Sequence, residues 1–307
     1  MVGRIIKGVK DFFHVYIEEG GEYKDTVIAC NSRGVFRKES VRLRPLAGDI
    51  AEIEINREQR DKDETWGIIK KIASRKNSLS RPPVANIDIL FIVVSVKQPA
   101  PSYFFTDKLT VAALENEITP VIVINKTDLA PDENEIYDIY SNAGFKAIKT
   151  SAATGAGLDE IKNEMQGKVC VFAGASGVGK SSVLNCLFGD LNLGVGGLSE
   201  RIERGKHTTR TVEFFKNGPG GYAADTPGFG ALDFENEDDM LKENLIFDFP
   251  DFEKYMGSCK AIQIRTGGCR SKKKPCSSRA FLRYRKHVGA LILWRGRGKQ
   301  PLFGSMR

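Results

Sequence analysis

The 307-residue sequence lacks an apolar run long enough to cross a lipid bilayer. Its longest apolar run, residues 87–96, contains Asp88 and falls well short of the roughly 20 residues that a membrane helix needs. The N-terminus also lacks the apolar core of a secretory signal, because Arg4 and Lys7 interrupt it. We therefore expect a soluble, cytoplasmic protein without a membrane partner.

Cysteine is sparse. The six cysteines are scattered from Cys30 to Cys276, and three of them lie in segments that resemble a protein core. Scattered thiols are typical of a reducing compartment and argue against a disulfide framework.

Acidic side chains are missing from residues 254–307, which carry 15 of the 46 Lys and Arg residues. The preceding 253 residues consequently have a net charge of −8, whereas the whole chain has +7. A basic block of this kind favours a polyanionic partner, with nucleic acid as the first candidate.

Residues 1–75 are predicted to form five short strands, the clearest at residues 13–17, 26–30, 50–55 and 66–72. Alternating apolar residues bounded by turns, without a convincing helix, indicate a small barrel, and an OB-fold is the leading candidate. A linker follows at residues 80–83, whose two prolines disfavour a helix.

Basic residues cluster around Phe36 in this first domain. They are Arg33, Arg37, Lys38, Arg42 and Arg44. The cluster fits either a nucleic-acid contact on a strand face or a solvated hairpin, and the residues alone leave both interpretations open.

Strands and helices alternate after residue 86. Strands are predicted at residues 87–96, 121–124, 145–149, 169–173, 212–215 and 222–224, and helices at 106–115, 133–141, 158–165, 180–188 and 235–243. This order predicts a mostly parallel sheet covered on both faces. We expect an α/β domain over residues 76–235 and a small C-terminal region over residues 236–307.

A phosphate-binding loop follows the strand at residues 169–173 and opens a helix. It matches G-x-x-x-x-G-K-[ST] in full, with Gly174, Ala175, Ser176, Gly177, Val178, Gly179, Lys180 and Ser181, and Ser182 follows. The glycines let backbone N–H groups converge on phosphate oxygens. Lys180 can reach the β- and γ-phosphates, and the Ser181 hydroxyl is a natural ligand for Mg²⁺.

Two downstream segments could sense the γ-phosphate. Asp225 ends a predicted strand and can hold Mg²⁺ through water, while Gly228 can donate its N–H to the γ-phosphate. Between the phosphate loop and the strand that ends at Asp225, Thr208 and Thr209 could each complete the coordination of Mg²⁺.

A base-recognition motif, Asn125-Lys126-Thr127-Asp128, ends the strand at residues 121–124. The Asp128 carboxylate can accept hydrogen bonds from guanine N1–H and its exocyclic amine, which adenine does not offer in that arrangement. Backbone N–H groups at Ser151 and Ala152 can meet the guanine oxygen. The motif therefore predicts GTP as the nucleotide and disfavours a P-loop kinase or ATPase.

The base motif precedes the phosphate loop, whereas ordinary small GTPases have the reverse order. Only a circular permutation keeps one spatial site with this chain order. The permuted motifs, the β-rich N-terminus and the later cysteines resemble the RsgA (YjeQ) family. The resemblance covers roughly residues 1–260.

This resemblance implies a multidomain protein with an OB-fold barrel that contacts RNA, a circularly permuted GTPase domain and a C-terminal zinc domain. It also implies a GTPase stimulated by the ribosome, which binds 16S rRNA during late maturation of the small (30S) ribosomal subunit. We expect it to act as a monomer. The alternative is a GTP-gated RNA-binding module in which hydrolysis is incidental.

The expected catalytic residues are Lys180, Thr208, Thr209 and His207. Where many GTPases place a water-orienting glutamine after Asp-x-x-Gly, this chain has Phe229, which cannot orient a water. The family is similar in this respect, and the resemblance suggests His207 as the substitute.

The C-terminal cysteines depart from the family pattern. Cys259, Cys269 and Cys276 are candidate Zn²⁺ ligands, but Ser271 stands where the family has a histidine. Two explanations of the tail compete: a basic segment that grips rRNA phosphates through residues 272–274 and 295–299, or a reading-frame shift near codon 260. The nucleotide sequence around that codon distinguishes them.

Overall fold

A computed structural model describes residues 1–9, 11–19, 21–32, 44–56, 66–80, 82–189 and 212–225. The chain divides into two units. One comprises Met1–Tyr137 and Lys146–Glu235, and the other comprises Asp138–Phe145 and Asn236–Arg307. In the second unit, the described residues 138–145 form the end of a helix and a turn closed by a hydrogen bond from the Phe145 N–H to the Tyr140 carbonyl.

The N-terminal barrel consists of five strands: β1 (Val2–Val9), β2 (Phe12–Glu19), β3 (Val27–Asn31), β4 (Ile50–Ile55) and β5 (Gly67–Ile72). They are ordered β1-β2-β3-β5-β4, and β4 pairs with β1 to close the barrel. Alternate side chains such as Val15, Ile17 and Ile28 are fully buried in its core. The predicted small OB-like barrel is confirmed.

A short hairpin of β6 (Ser78–Ser80) and β7 (Pro83–Ala85) follows the barrel, where the sequence predicted a linker. Side-chain amides of the residues that flank this hairpin form hydrogen bonds with the backbone. Asn77 donates to the Ile87 carbonyl at 2.8 Å, and Asn86 donates to the Gly48 carbonyl of the barrel at 3.1 Å. The segment is therefore ordered against the barrel.

The α/β domain contains β8 (Ile89–Ser95), β9 (Thr119–Asn125), β10 (Lys146–Lys149), β11 (Val169–Ala173), β12 (Glu213–Lys216) and β13 (Tyr222–Asp225). Strands β10, β9, β8, β11 and β13 run parallel in that order, and β12 is antiparallel to β13. Every residue of β8 is buried, which explains its continuous apolar run.

Four helices accompany these strands: α1 (Tyr103–Glu115), α2 (Glu135–Asn142), α3 (Leu158–Met165) and α4 (Lys180–Phe188). Helix α1 packs against β8 and β9. Helices α3 and α4 contribute Ile161 and Leu184 to a core that includes Phe91 and Phe172, whose rings stack with centroids 4.8 Å apart. The predicted α/β domain is confirmed.

The two domains share one sheet. Strand β12 pairs with β1 at Glu213 and Lys7, so that the barrel continues the α/β sheet to eleven strands. The sequence did not predict this junction. The predicted helix at residues 235–243 and the residues around Phe36 lie outside the described ranges, apart from Arg44. Among the described helices, none has the length and hydropathy to span a membrane.

Candidate nucleotide-binding site

The carboxyl ends of the parallel strands assemble the candidate site. Strands β8, β9 and β11 end at Ser95, Asn125 and Ala173, side by side in the sheet. Loops that leave neighbouring parallel strands at this edge form the crevice in which α/β proteins bind ligands. Both predicted nucleotide motifs follow these strands.

Three glycines shape the phosphate loop, and each has a positive φ. The φ angle is +148° at Gly174, +79° at Gly177 and +95° at Gly179. A Cβ atom at Gly174 would lie 2.2 Å from the Val93 carbonyl oxygen, and one at Gly179 would lie 2.3 Å from Asn125 Nδ2. The loop therefore requires glycine at both positions, for conformation and for space.

Helix α4 begins immediately after Gly179. Its first residue, Lys180, donates from Nζ to the carbonyls of Gly174 and Ala175, each at 2.9 Å. The ammonium group thus lies within the curve of the loop, where phosphate oxygens could replace the carbonyl partners. Ser181 and Ser182 occupy the first turn of α4, whose N–H groups and dipole favour an anion.

Asn125 joins the base motif to the phosphate loop. This asparagine is 1% exposed, and its Nδ2 donates to the Val178 carbonyl at 2.9 Å. Its Oδ1 accepts a hydrogen bond from the Ala152 N–H at 3.1 Å. One side chain therefore holds three segments that are remote in the chain, which is the geometry expected if the permuted motifs form one site.

Lys126 spans the same gap from the solvent side. Its Nζ donates to the Gly177 carbonyl at 2.7 Å and also to the Gln98 carbonyl. Its backbone has a φ of +64°, which turns the chain sharply after β9. The Lys126 ammonium group consequently lies between the phosphate loop and the loop that follows β8.

Asp128 and Ser151 form the remaining side of the base pocket. The Ser151 hydroxyl donates to Asp128 Oδ1 at 2.5 Å, and Ser151 is 1% exposed. The Thr127 hydroxyl donates to the Thr150 carbonyl at 3.0 Å. These bonds hold the Asp128 carboxylate beside the Ser151–Ala152 turn.

The backbone brings Asp225 to the same edge of the sheet. It is the last residue of β13 and is paired with Phe172 of β11. Strand β11 ends one residue later, at Ala173, where the phosphate loop begins. From the sequence, the residues expected to bind Mg²⁺ are Ser181 and Asp225, and hydroxyl and carboxylate oxygens are ligand types that Mg²⁺ accepts. Gly228, His207, Thr208 and Thr209 lie outside the described residues.

The described residues include no group of three or more His, Cys, Asp or Glu side chains that could hold a metal ion. The candidate zinc ligands Cys259, Cys269 and Cys276 lie outside the described ranges, so the zinc hypothesis stays a prediction.

Gln98 and Pro99 were missed by sequence reasoning. The Gln98 N–H donates to Ser95 Oγ at 3.1 Å, and its carbonyl accepts from Lys126. Pro99 Cδ lies 3.7 Å from where a Cβ atom at Gly177 would stand. The available signal was the position of these residues directly after a buried parallel strand, since such loops border the ligand crevice.

Comparisons with known proteins agree with this architecture. A profile described as RsgA GTPase matches residues 72–235, and one described as RsgA N-terminal domain matches residues 2–61. A protein of Caldanaerobacter subterraneus called small ribosomal subunit biogenesis GTPase RsgA is 42% identical over 260 residues, covering 84% of this chain and 82% of the relative. The Bacillus subtilis protein of that name is 39% identical over 264 residues, covering 84% of each chain.

Two crystal structures are also similar. YloQ, described as a circularly permuted GTPase, superimposes with a TM-score of 0.68 at 30% identity, covering 98% of this chain and 96% of its own. YjeQ from Thermotoga maritima superimposes with a TM-score of 0.67 at 30% identity, covering 97% of this chain and 99% of its own.

Proposed function

Because this chain belongs to the RsgA family of GTPases, we propose that it hydrolyses GTP during late maturation of the small ribosomal subunit, and that the subunit stimulates hydrolysis. The observation that carries the proposal is the position of Asn125, whose amide binds the phosphate loop at Val178 and the base-recognition turn at Ala152. A nucleotide bound across that amide would touch all the permuted motifs.

The base pocket would select guanine through Asp128, which Ser151 holds in place at 2.5 Å. Its carboxylate would accept from N1–H and from the exocyclic amine, and the Ala152 backbone would approach the guanine oxygen. Lys126 would lay its stem along the base, because two carbonyls already hold its ammonium group beside the phosphate loop.

At the phosphates, Lys180 would exchange its two carbonyl partners for β- and γ-phosphate oxygens, while the α4 N-terminus adds N–H donors. Ser181 and Asp225, with Thr208 or Thr209, would hold Mg²⁺, which neutralises charge on the phosphates. His207 would orient the attacking water, because Phe229 at the usual glutamine position has no polar atom.

The test is GTP hydrolysis by the full chain, with and without purified small ribosomal subunits. We expect slow intrinsic turnover and a marked increase with subunits. His207→Ala should lower the stimulated rate about tenfold or more while leaving GTP affinity within about twofold. Asn163→Ala, which removes an exposed side chain on α3, is the control and should change neither quantity.

Two outcomes would contradict the proposal. Absence of stimulation, with GTP-dependent binding to the subunit intact, would favour the GTP-gated RNA-binding module. Equal competition by ATP and GTP would remove the role given to Asp128. An unchanged stimulated rate in His207→Ala would exclude that histidine while leaving the GTPase activity itself standing.

Further parts of the proposal rest on the family alone. We propose that the barrel, residues 1–75, contacts 16S rRNA, that residues 76–235 are the GTPase domain, and that the protein is a cytoplasmic monomer. The C-terminal region, residues 236–307, would hold one Zn²⁺ if Cys259, Cys269 and Cys276 fold together, and elemental analysis of the purified protein would measure it.

A further inference from the structure

Strand β1 of the barrel uses both of its edges. One edge pairs with β2 along the whole strand, from Val2 to Val9. The other edge pairs with β4 at its beginning, from Val2 to Arg4, and with β12 of the GTPase domain at Lys7. A bulge between Ile5 and Lys7 separates these two uses, and bulges of this kind redirect a strand and its side chains.

The contact with β12 is in register with the phosphate-sensing segment. Lys7 of β1 lies opposite Glu213 of β12, and Glu213 lies opposite Asp225 at the end of β13. Since neighbouring strands are about 4.8 Å apart, the backbone of Lys7 lies about 10 Å from that of the aspartate expected to hold Mg²⁺. A single row of residues thus connects barrel and nucleotide site.

Polar side chains reinforce this row. Lys7 Nζ binds Glu213 Oε2 at 2.7 Å. The hydroxyl of Tyr222, which is 1% exposed, donates to Glu18 Oε1 of the barrel at 2.7 Å. Arg4 binds the same Glu18 oxygen at 3.3 Å, and its guanidinium carbon lies 4.9 Å from the centre of the Tyr222 ring.

The far end of β12 makes a second set of contacts. Lys216 Nζ donates to Asp25 Oδ1 at 3.1 Å and also to the Tyr16 hydroxyl, and that hydroxyl donates to Asp25 Oδ1 at 2.5 Å. The Tyr16 and Tyr222 rings meet edge to face, with centroids 6.2 Å apart. Barrel residues therefore contact both ends of the β12–β13 hairpin.

This interface differs from the two cores that it joins. Apart from the buried Tyr222 ring and its contacts with Tyr16 and Arg4, it consists of one backbone bridge, ion pairs and hydroxyl hydrogen bonds, whereas the barrel core consists of aliphatic side chains such as Ile5 and Val15. The Lys7 and Glu213 side chains are 34% and 44% exposed, so they can exchange each other for water at small net cost. The end of the interface beside Asp225 can therefore open without unfolding either domain.

We propose that docking of the barrel on β12–β13 is thermodynamically coupled to the bound nucleotide, with GTP favouring the docked state over GDP. This inference rests on the proposed function, because it takes Asp225 to engage Mg²⁺ and the γ-phosphate. GTP then restrains the hairpin at Asp225, and a hairpin that is already ordered loses less conformational entropy when its outer edge pairs with β1. The barrel thereby acts as a built-in partner of the GTP-bound form.

Coupling of this kind is reciprocal, so weaker docking must lower the preference for GTP by the same factor. The test variant is Lys7→Glu with Glu18→Lys, which places like charges opposite Glu213 and Arg4 without changing net charge. The matched control exchanges the exposed barrel pair Lys70 and Glu54 in the same way, Lys70→Glu with Glu54→Lys, and leaves them able to pair.

Dissociation constants are measured for GDP and for a non-hydrolysable GTP analogue. We expect the interface variant to reduce the ratio of GTP-analogue affinity to GDP affinity by about fivefold or more, and the control to stay within about twofold. Both altered residues belong to the barrel and touch no nucleotide, so a change in the ratio must pass through the interface. An unchanged ratio overturns the proposal.

Hydrogen exchange of the unaltered protein gives a second measurement should the variant fail to fold. Amides of β1 and β12 should exchange more slowly with the GTP analogue than with GDP, whereas those of β4 and β5 should not differ. Equal protection of β1 and β12 in both nucleotides overturns the proposal. If GTP binds and subunits stimulate hydrolysis, but neither the affinity ratio nor the hydrogen exchange changes as expected, only the proposed coupling is wrong. If GTP does not bind, the proposed function is itself wrong.

Discussion

At the scale of single residues, the glycines of the phosphate loop show how chemistry and sterics act together. Gly179 has a φ of +95°, which is a left-handed backbone conformation. It also faces Asn125 so closely that there is no room for a side chain. Gly189, at the other end of α4, also has a positive φ of +72°, but a Cβ atom there would meet nothing within 4 Å. A substitution at Gly189 therefore tests backbone strain alone, whereas the same substitution at Gly179 tests backbone strain together with crowding of Asn125.

We predict that Gly179→Ala abolishes high-affinity nucleotide binding, because the new methyl group would displace the Asn125 amide that joins base and phosphate segments. Gly189→Ala adds backbone strain of about 1–3 kcal/mol, at least as much as at Gly179 because the φ of +72° and ψ of −169° at Gly189 suit only glycine, and it should bind nucleotide normally because it does not enter the site. Equilibrium titration with a fluorescent GDP analogue compares them. Equal losses in both variants would mean that strain alone, and not crowding of Asn125, is responsible.

Buried thiols give a second prediction for single residues. Burial raises the pKa of Cys30 and of Cys170 to about 12, above the 9.0 of an unperturbed thiol, because a thiolate is poorly solvated in the core. Each thiol therefore stays protonated in the folded protein, whereas in the unfolded chain it ionises near pH 9. The free energy of unfolding that this difference contributes is complete below pH 9 and is lost as the pH rises toward 12.

Alkylation at pH 8 followed by peptide mapping measures this contrast residue by residue. Cys186, which is exposed on α4, should be modified in the native protein, while Cys30 and Cys170 should be modified only after denaturant is added. Rapid native modification of either buried thiol would show that its domain opens readily under these conditions.

At the scale of elements, a buried ion pair organises the start of β4. Asp49 is fully buried and accepts from Arg75 Nε and from a terminal guanidinium nitrogen, both at 2.8 Å, and from the Leu46 N–H at 2.7 Å. Arg75 is 19% exposed and also donates to the Arg44 carbonyl. The pair thus ties the segment before β4 to the segment after β5.

We predict that Asp49→Asn destabilises the protein by about 2–3 kcal/mol, less than a fully buried pair would lose because water reaches Arg75. Urea unfolding monitored by Trp66, which packs against Tyr23 in the barrel, measures the loss in a Trp294→Phe background that removes the second tryptophan. Glu54→Gln is the control, since its partner Lys70 is on the surface, and it should change stability by less than about 0.5 kcal/mol. If both substitutions lowered the free energy of unfolding by a similar amount, the buried pair would contribute no more to stability than the surface pair.

At the scale of the whole molecule, charge is segregated along the chain. The described domains carry an acidic excess, and the basic residues that reverse it are concentrated in residues 254–307. Positive charge that neutralises RNA phosphates releases counterions, so the affinity it contributes falls steeply with salt. In the proposed function, the polyanion that this basic region would bind is the RNA of the small ribosomal subunit.

We predict that replacing Lys272, Lys273 and Lys274 by alanine weakens binding to small subunits and flattens the slope of log affinity against log salt by about one to two units. The control replaces Lys146, Lys162 and Lys168, which lie in the α/β domain beside Glu160, Asp159 and Glu164, and it changes net charge equally. Sedimentation binding at several salt concentrations measures both triples. If the two behave alike, net charge and not the tail governs the association.

Local patterns predicted most of the elements. Helices α3 and α4 and strand β11 have the predicted bounds. A glycine precedes each helix, and β11 is a continuous buried apolar run between Lys168 and Gly174. Strand β1 was not located, since Gly3 and the charged Arg4 are both buried in it and hide the alternation. Arg4 tolerates burial through its bonds to Glu18 and to the Gly48 carbonyl, which lies 44 residues away.

The phosphate loop, the guanine motif, their permuted order and the family could all be predicted from the amino-acid sequence. Those features depend on residue types at short spacings, which are visible in any window of the chain. The three-dimensional fold was needed to show that the Gln98 carbonyl binds Lys126 and that Lys7 of the barrel lies in register with Glu213, 206 residues later. Such contacts depend on which strands become neighbours, and a local period of two or 3.6 residues carries no record of that choice.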